Sequence, residues 1–317
     1  MAFVETNRLA EILSEGWPTL QPLSIAPLKA SKTATGVWEV TTTTASFILK
    51  GSSDARFGHQ SSVLHYLAAN HLPIALPIPS KTGPVHTTHG TRYILSPKLP
   101  GSHQHLRLGQ PAGETWAHRF GEVLGRLHAS LAQMPPLLSL RTVDVHQHVV
   151  ASAFPLLRAH PLLANDSQLG KTMQTYACQF GLQSRDLVVH PIHRDFHTGN
   201  LLFFNANLTG IIDFDLAEIN IRLWDPCYLA TSTLVYVVRG EASIQQWLTT
   251  FRAIIAGYET HCPLTPIERR LLPEVLQSIQ FSFMAYWAAK QRSDLMWENT
   301  KALRLLESQR GKISRCS

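Results

Sequence analysis

The spacing of apolar residues predicts a strand-rich segment over the first hundred positions. Short apolar runs that alternate with turn residues are typical of strands, whereas apolar residues three and four positions apart are typical of helices. The predicted elements are a helix that follows the capping pair Thr6-Asn7 and ends at Gly16, strands over 37–40 and 46–50, a helix around Val63, Leu64 and Leu67, and a strand over 91–96. Prolines at positions 73, 77 and 79 exclude a helix from the connection before the last strand.

Helical spacing dominates the chain from residue 116 onward. The predicted helices cover 116–131, 141–164 with a break at Pro155, 228–238, 243–261, 266–290 and 294–309. The aromatic residues of the last two helices, with Asp294 and Glu298 nearby, would suit a cationic ligand. Packing in a helical core explains the same aromatic residues more simply, and we favour that interpretation.

One stretch interrupts the helical pattern and carries the candidate chemistry. Apolar pieces over 201–204 and 210–212 flank residues that favour a turn, so the stretch predicts a β-hairpin. With a loop over 205–208, the register places Asn200 opposite Asp213. Directly opposed residues have Cβ atoms roughly 4.5–5.5 Å apart. A carboxylate and a carboxamide oxygen at that distance can share one hard cation, and Mg²⁺ needs few protein oxygens when phosphates and water supply the rest.

Composition places the chain among ordinary globular proteins. Its 317 residues, 44% of them hydrophobic, are enough for two lobes with their own cores. No run reaches the ~18 apolar residues of a membrane span, and the first residues lack the apolar core of a signal peptide. The four cysteines show no C-x-x-C spacing, which excludes a zinc ribbon or a disulfide framework of that pattern. We therefore expect a cytoplasmic protein with free thiols and no membrane partner.

A net charge of +6 raises nucleic-acid binding as an alternative. The basic residues are scattered, however, and the densest group lies near the end of the chain, where it favours a solvated helix face. Pairs among the 16 histidines show none of the known metal-binding spacings. Gly170-Lys171-Thr172 lacks the earlier glycine and the strand of a phosphate-binding P-loop. Charge and composition thus favour neither a nucleic-acid interface nor a zinc site.

The order of polar residues around the hairpin resembles that of kinase-like phosphotransferases. His193, Asp195 and Asn200 match the H-x-D-x-x-x-x-N loop of those enzymes, and Asp213-Phe214 matches the strand that follows it. The segment I-I-D-F-D-L-A, with W-D-P later in the chain, is more similar to the aminoglycoside phosphotransferase family than to protein kinases. That family includes homoserine and choline kinases. The resemblance implies an α+β, protein-kinase-like bilobal fold. Its expected parts are a β-rich N-lobe over 1–95, a hinge over 96–102 and a mostly helical C-lobe over 103–317.

The resemblance also implies a function and roles for the matched residues. The expected activity is ATP- and Mg²⁺-dependent phosphorylation of a hydroxyl group on a small molecule, such as an aminoglycoside, an amino acid or a choline-like alcohol. Asp195 would orient the acceptor and take its proton, His193 would brace the loop, and Asn200 and Asp213 would hold Mg²⁺. The identity of the acceptor, the choice of ATP over GTP and the oligomeric state stay open.

Further family positions fall on the N-terminal part of the chain. Lys50 ends a predicted strand and matches the lysine that contacts the α- and β-phosphates. Loop 31–36 matches the segment that covers the phosphates, and the backbone from Ser96 to Lys98 matches the hinge that reads adenine. Gln60 stands where the family has a glutamate that pairs with the lysine. This departure leaves Lys50 without its carboxylate and motivates a second alternative, a nucleotide-binding protein with little transferase activity. By the same argument, Gln60→Glu should be tolerated and should raise turnover.

Two more aspartates have family counterparts. Asp225, in the W-D-P motif, resembles an aspartate that accepts hydrogen bonds from the backbone of the catalytic loop. Asp215 follows Asp213 by two positions, and the sequence leaves open whether it approaches the metal or caps the next segment. Because Asp195, Asn200 and Asp213 are all present, an active kinase is favoured over a protein that only binds nucleotide.

Overall fold

The computed structural model describes residues 2–29, 35–136 and 139–315, with side chains from Asn7 onward. The predicted phosphate-covering loop lies largely outside these residues. The chain divides into two compact units, the first formed by Met1–His103 with Asn200–Asp215 and the second by Gln104–Gly199 with Leu216–Ser317. The lobe boundaries and the hinge over 96–102 stay a prediction.

Strands and helices alternate early in the chain, and helices dominate later. The strands are β1 Ser24–Lys29, β2 Gly36–Thr41, β3 Ser46–Ser52, β4 His86–Thr88, β5 Thr91–Pro97, β6 Val189–Ile192, β7 Leu201–Phe204, β8 Asn207–Ile211 and β9 Glu218–Ile221. The helices are α1 Ala2–Gly16, α2 Ser61–Ala69, α3 Pro111–Leu131, α4 Val145–His148, α5 Phe154–Ala159, α6 Ser167–Gln183, α7 Trp224–Val238, α8 Ile244–Glu259, α9 Pro266–Ala289, α10 Ser293–Ser308 and α11 Arg310–Ile313.

The first unit contains a five-stranded antiparallel sheet in the order β1-β2-β3-β5-β4. The strands predicted over 37–40, 46–50 and 91–96 are confirmed as β2, β3 and β5. The sequence analysis did not predict β1. Pro27 is accepted within it because β1 is an edge strand, where a missing N–H is tolerated. Helix α1 begins at Ala2, so the predicted start after Thr6-Asn7 was wrong.

Helix α1 covers one face of this sheet. Leu9, Ile12 and Leu13 pack against strand residues that include Trp38 and Leu49 in one buried cluster. Each fully buried side chain of this size contributes roughly 1.5–3 kcal/mol. The apolar spacing of three and four residues in α1 therefore forms one apolar stripe, as predicted for an amphipathic helix. This stripe packs on the sheet that contains Lys50, the candidate phosphate-binding lysine.

The hairpin of β7 and β8 also belongs to the first unit, but its predicted register was wrong. The turn contains only Asn205 and Ala206, with φ of +46° and +62°, and the register shifts between Leu202 and Phe203. A two-residue turn with both φ values positive matches the right-handed twist of paired strands, and the bulge then adds one residue to β8. As a result, Ile212, not Asp213, continues the pairing opposite Asn200.

The second unit is built on closely packed helices. At the contact of α3 and α8, a Cβ on Gly121 would overlap the carbonyl oxygen of Ile254, and a Cβ on Gly257 would overlap that of His118. Glycine at these two positions lets the helix backbones approach each other. The break predicted at Pro155 lies instead in a π-helical segment over Val149–Ala153, and Pro155 occupies the first turn of α5, where proline is accepted. Within the described ranges, no helix combines the length and apolar character that crossing a bilayer requires.

Candidate active site

Lys50 lies near the end of β3 and binds two carboxylates. Its Nζ donates to Asp213 Oδ1 at 2.7 Å and to Asp215 Oδ2 at 2.6 Å. β3 is flanked by β2 and β5, so the main chain of Lys50 is held on both sides by the sheet. The expectation that Lys50 lacks a carboxylate partner was therefore wrong. The two aspartates that follow β8 supply what the helix position does not.

Gln60 immediately precedes α2 and contacts Asp215 instead of the lysine. Its Nε2 donates to Asp215 Oδ1 at 2.8 Å, and its Oε1 accepts from the backbone N–H of Gly58 at 3.0 Å. The side chain is buried, and both ends of the amide have hydrogen-bond partners. A carboxamide suits this position because it donates to a carboxylate, which a glutamate could not do in its ionised form.

These contacts collect more negative than positive charge in a partly buried place. Burial raises the pKa of Asp215, and the adjacent charge of Asp213 raises it further, while Lys50 opposes both effects. Burial acts to lower the pKa of Lys50, but the charges of Asp215 and Asp213 outweigh it and hold that pKa above its ordinary value. One ammonium group shared by two carboxylates explains both directions. The cluster therefore favours a further cation.

The predicted magnesium ligands flank the hairpin. Asn200 ends a 3₁₀ turn and is buried, and its carbonyl accepts from the N–H of Ile212 at 3.0 Å. Asp213 has φ of +69°, a conformation that residues with a side chain rarely adopt unless the surrounding structure holds it. Asn200 and Asp213 both offer hard oxygen donors, which is the chemistry that Mg²⁺ prefers.

The described part of the chain contains no group of three or more His, Cys, Asp or Glu side chains arranged to hold a metal ion. Mg²⁺ that arrives with a nucleotide does not need such a group, because phosphate oxygens and water complete its octahedral shell. An amide oxygen at Asn200, a carboxylate at Asp213 and the excess negative charge beside Lys50 therefore fit a magnesium–nucleotide complex.

The predicted adenine-reading residues lie at the end of β5. Ser96 pairs with Ile48 of β3. The N–H of Lys98 donates to the carbonyl of Ser46 at 3.0 Å, and its Nζ donates to Glu39 at 2.7 Å. The N–H of Lys98 is therefore already bonded within the first unit, and the reading of adenine by residues 96–98 stays a prediction.

In the second unit, the loop after β6 is braced through Asp225. The carboxylate of Asp225 accepts from the N–H of His193 at 2.8 Å and from the N–H of Arg194 at 2.9 Å. His193 is fully buried, and its ring packs edge-on against Phe196. Arg194 has φ of +73°, so the two bonds to Asp225 help to hold a conformation that is unfavourable for a residue with a Cβ.

The side chain of Arg194 adds a second brace. Its Nε lies 2.7 Å from Oε1 of the buried Glu218, and its guanidinium carbon lies 3.9 Å from the centre of the Trp224 ring. The indole of Trp224 in turn donates to the carbonyl of Arg194 at 3.1 Å. An ion pair, a cation–π contact and a hydrogen bond thus fix the residue immediately before Asp195.

Asp195 contacts a tyrosine and a histidine of the second unit. The hydroxyl of Tyr228, on the first turn of α7, donates to Asp195 Oδ1 at 2.6 Å, and Nε2 of His197 lies 3.8 Å from Oδ2. Burial raises the pKa of Tyr228, and the charge of Asp195 raises it further, so the tyrosine remains a protonated donor. A carboxylate that one hydroxyl orients can accept a bond, and then a proton, from another.

A buried chain of hydrogen bonds extends this brace into the helices. His128 Nε2 lies 3.0 Å from Asp225 Oδ2, and its Nδ1 lies 2.9 Å from the hydroxyl of Tyr258. Burial lowers the pKa of His128 to about 3, with Arg222 acting in the same direction, and burial raises the pKa of Asp225 to about 6. His128 is therefore neutral, and the simplest tautomer donates to Asp225 and accepts from Tyr258.

The structure thus brings the predicted residues together in two groups. Lys50, Gln60, Asp213 and Asp215 form one group in the first unit, and His193, Asp195 and Asp225 form the other in the second. Sequence reasoning missed the residues that position these groups, chiefly Glu218, Tyr228 and His128. Tyr228 had a usable signal, because it follows Asp225 by three positions and so shares its helix face. His128 had none.

Comparisons with known proteins identify the family. A sequence model of the phosphotransferase enzyme family matches residues 26–264. The homoserine kinase of Caulobacter vibrioides (strain NA1000 / CB15N) is 28% identical over 229 residues, covering 70% of this chain and 67% of that protein.

Solved structures show the fold. Amicoumacin kinase hAmiN in complex with AMP-PNP, Ca²⁺ and Ami has a TM-score of 0.72 at 16% identity, with 95% of this chain and 93% of that chain covered. The microcompartment-associated aminopropanol kinase has a TM-score of 0.68 at 16% identity, with 92% and 93% covered. The predicted α+β, protein-kinase-like fold is confirmed by these likenesses and by the antiparallel sheet and helices described above.

Proposed function

Since the chain belongs to the phosphotransferase enzyme family, we propose that it transfers the terminal phosphoryl group of ATP, bound with Mg²⁺, to a hydroxyl group of a small molecule that carries an amine. The observation that carries the proposal is the cluster in which Lys50 binds Asp213 and Asp215 at 2.7 and 2.6 Å. An ammonium group for phosphate and, beside it, a carboxylate for a metal are parts that bind a magnesium–nucleotide complex.

Each side chain would have one task. Asn200 and Asp213 would hold Mg²⁺, which neutralises charge on the phosphates when bound. Lys50 would exchange part of its contact with Asp213 and Asp215 for phosphate oxygens. Asp195 would accept a hydrogen bond from the acceptor hydroxyl, orient it for attack and take its proton as the new bond forms. Catalysis would then rest on positioning and on charge neutralisation.

The amine-bearing acceptor is proposed from the printed names of the similar proteins. They are a homoserine kinase, an aminopropanol kinase and an amicoumacin kinase whose structure contains AMP-PNP. The first two names contain molecules with a free hydroxyl and an amine, and the third structure supports ATP as the donor. A protein that only binds nucleotide is less well supported, because the argument for it was an unpaired Lys50.

The test measures ADP release from ATP and Mg²⁺ with a panel of amino alcohols, hydroxy amino acids and aminoglycosides. The wild-type protein should release ADP with at least one of them. Asp195→Asn keeps the size of the side chain but loses the base, so turnover should fall by ~10²–10⁴-fold while the affinity for ATP–Mg²⁺ stays near that of the wild type. ADP release by Asp195→Asn at the wild-type rate would exclude Asp195 as the base.

A further inference from the structure

The second unit contains a cavity of about 400 Å³ whose lining comes chiefly from α7, α9 and α10. His197 and Tyr228, which contact Asp195, belong to its lining. Phe283 and Trp287 add an aromatic wall. At roughly 30 Å³ for each water molecule, the volume is ample for a small polar acceptor with some solvent. The sequence analysis favoured core packing for the aromatic residues of the last two helices. That interpretation holds for the fully buried Phe281, whereas Phe283 and Trp287 line the cavity.

Two polar side chains in the cavity lining lack hydrogen-bond partners among the described residues. The side chain of Gln280 is 1% exposed, and neither Oε1 nor Nε2 has a partner among the described residues. The same is true of the buried hydroxyl of Thr231. A buried polar group without a partner costs roughly 1–3 kcal/mol, and native proteins rarely leave a whole amide in that state. Both residues line this cavity, so a ligand with donors and acceptors would supply the missing partners.

The cavity lining also includes an ion pair. Arg239 donates through Nε and Nη2 to the two carboxylate oxygens of Glu298, at 2.9 and 3.1 Å. A ligand with only an amine could bind Glu298 but would offer nothing to Arg239, whose side chain is 49% exposed and would then be solvated by water. A ligand with both an ammonium and a carboxylate group can replace each partner, so that one ion pair becomes two.

We propose that this cavity binds the acceptor and selects a hydroxylated α-amino acid in its zwitterionic form. Its carboxylate would accept from Arg239, Thr231 and the Nε2 group of Gln280. Its ammonium group would donate to Glu298 and to Oε1 of Gln280. The side-chain hydroxyl would extend toward Asp195 and Tyr228. This inference rests on the proposed function, because it assigns the polar end of the molecule whose hydroxyl is phosphorylated.

Calorimetric titration of the full chain tests the assignment with three related probes. L-homoserine carries both charged groups, 3-aminopropan-1-ol lacks the carboxylate, and 4-hydroxybutyrate lacks the ammonium group. Homoserine should bind at least tenfold more tightly than either of the other two. Equal binding of 3-aminopropan-1-ol, or no binding of homoserine, would overturn the selection of an amino acid.

Variants of α9 test the residue assignment. Gln280→Met has a similar volume without either polar group, so the affinity for homoserine should fall at least tenfold, while the melting temperature should stay the same or rise, since an unpartnered amide is removed. Gln277→Met is the matched control, because Gln277 is also a buried glutamine of α9 but does not line this cavity; its affinity for homoserine should equal that of the wild type.

Unchanged homoserine binding by Gln280→Met, or an equal loss in both variants, would overturn the role of Gln280. These titrations measure binding without turnover. A protein that binds homoserine as described and yet releases no ADP would contradict the proposed function and leave the binding site standing. The reverse result, ADP release without selection among the three probes, would contradict the binding site alone.

Discussion

Asp215 accepts hydrogen bonds from two side chains with different roles. Lys50 donates to Oδ2 and Gln60 to Oδ1, at 2.6 and 2.8 Å. In the family pattern the helix residue is a glutamate and pairs with the lysine directly. Here the carboxylate comes from the segment after the hairpin, and the helix contributes an amide that orients it. The ammonium group is thus neutralised by a different residue from the one in the family pattern.

This arrangement reverses the expectation for Gln60→Glu. A glutamate at position 60 would place a third carboxylate beside Asp213 and Asp215 and would lose the bond that Nε2 donates. We expect Gln60→Glu to unfold more easily than the wild type at pH 7, by about 1–3 kcal/mol, because one oxygen of the buried carboxylate would lack a donor and would face the carboxylate of Asp215. The measurement is the free energy of unfolding in urea.

Gln60→Met separates charge from the lost hydrogen bonds. It removes both polar groups without adding charge, so at pH 7 it should be less destabilised than Gln60→Glu. The difference should shrink toward pH 5, since repulsion favours protonation of the added glutamate and a protonated acid can donate to Asp215. A Gln60→Glu variant as stable as the wild type at pH 7 would show that the contact with Asp215 is unimportant.

The residues that carry chemistry could be predicted more completely than their partners. Asp195, Asn200 and Asp213 stand at fixed spacings in one stretch of chain, so a linear pattern identifies them. The pairing of Lys50 with Asp215 depends on the positive φ of Asp213 and on a contact between positions 165 residues apart. No local rule of sequence contains either feature.

At the scale of elements, the hairpin shows why register is difficult to predict. The existence of β7 and β8 followed from apolar runs around turn residues. Their alignment depended on whether the turn contained two or four residues and on a bulge next to Leu202. A single added residue changes which side chains are opposed, so Asn200 aligns with Ile212 although the hairpin itself was correctly predicted.

Ala206 offers a direct test of the turn. It adopts φ of +62°, a conformation that costs a residue with a Cβ roughly 1–2 kcal/mol and that glycine adopts freely. Ala206→Gly should therefore raise the free energy of unfolding by about 0.5–1 kcal/mol. Ala256→Gly, at an exposed position within α8, should lower it by about 1 kcal/mol. Destabilisation by both substitutions would mean that Ala206 does not hold a positive φ.

The helices of the second unit contain a pH-dependent element. Burial lowers the pKa of His128 to about 3. Below about pH 6.5, His128 is therefore protonated in the unfolded chain but stays neutral in the folded chain. The stability from neutral His128 is therefore complete above that pH and declines as pH falls toward 3. His190, with its pKa lowered to about 4 by burial, acts in the same direction. Asp225, with its pKa raised to about 6 by burial, partly offsets both between about pH 6 and 4.

Urea unfolding between pH 6.5 and 4.5 should show this dependence. His128→Gln can still donate to Asp225 and accept from Tyr258 but does not titrate. Relative to the wild type, it should lose less stability as pH falls, by on the order of 1 kcal/mol per pH unit. Tyr258→Phe removes one bond to His128 without changing the protons bound in this range, so its pH dependence should match that of the wild type. A wild-type slope in His128→Gln would contradict a neutral, buried His128.

At the scale of the whole molecule, the fold was predictable because many weak signals agreed. Apolar periodicity alone predicts strands before residue 100 and helices after it. Strands β2, β3 and β5 and the long helices α7 to α10 were predicted in this way. Close packing was not predictable, because Gly121 and Gly257 read as helix-weakening residues until the contact of α3 with α8 is known. The family match over residues 26–264 spans parts of both units.

Nucleotide binding should stabilise the whole chain through the metal ligands. ATP with Mg²⁺ at ~100 times its dissociation constant adds about 2.7 kcal/mol to the free energy of unfolding, so the melting temperature of the wild-type protein should rise. Asp213→Asn removes one proposed oxygen ligand of Mg²⁺ and one partner of Lys50. The rise should therefore be smaller at a fixed Mg²⁺ concentration and should partly return as Mg²⁺ is increased. Asp195→Asn, which lacks the base but keeps the proposed metal ligands, should show the full rise.

The measurement is thermal unfolding across a Mg²⁺ titration at constant ATP. If the Mg²⁺-dependent defect appears in Asp195→Asn and not in Asp213→Asn, the assignment of base and metal ligand must be exchanged; no rise in the wild-type protein at millimolar ATP and Mg²⁺ would refute nucleotide binding itself.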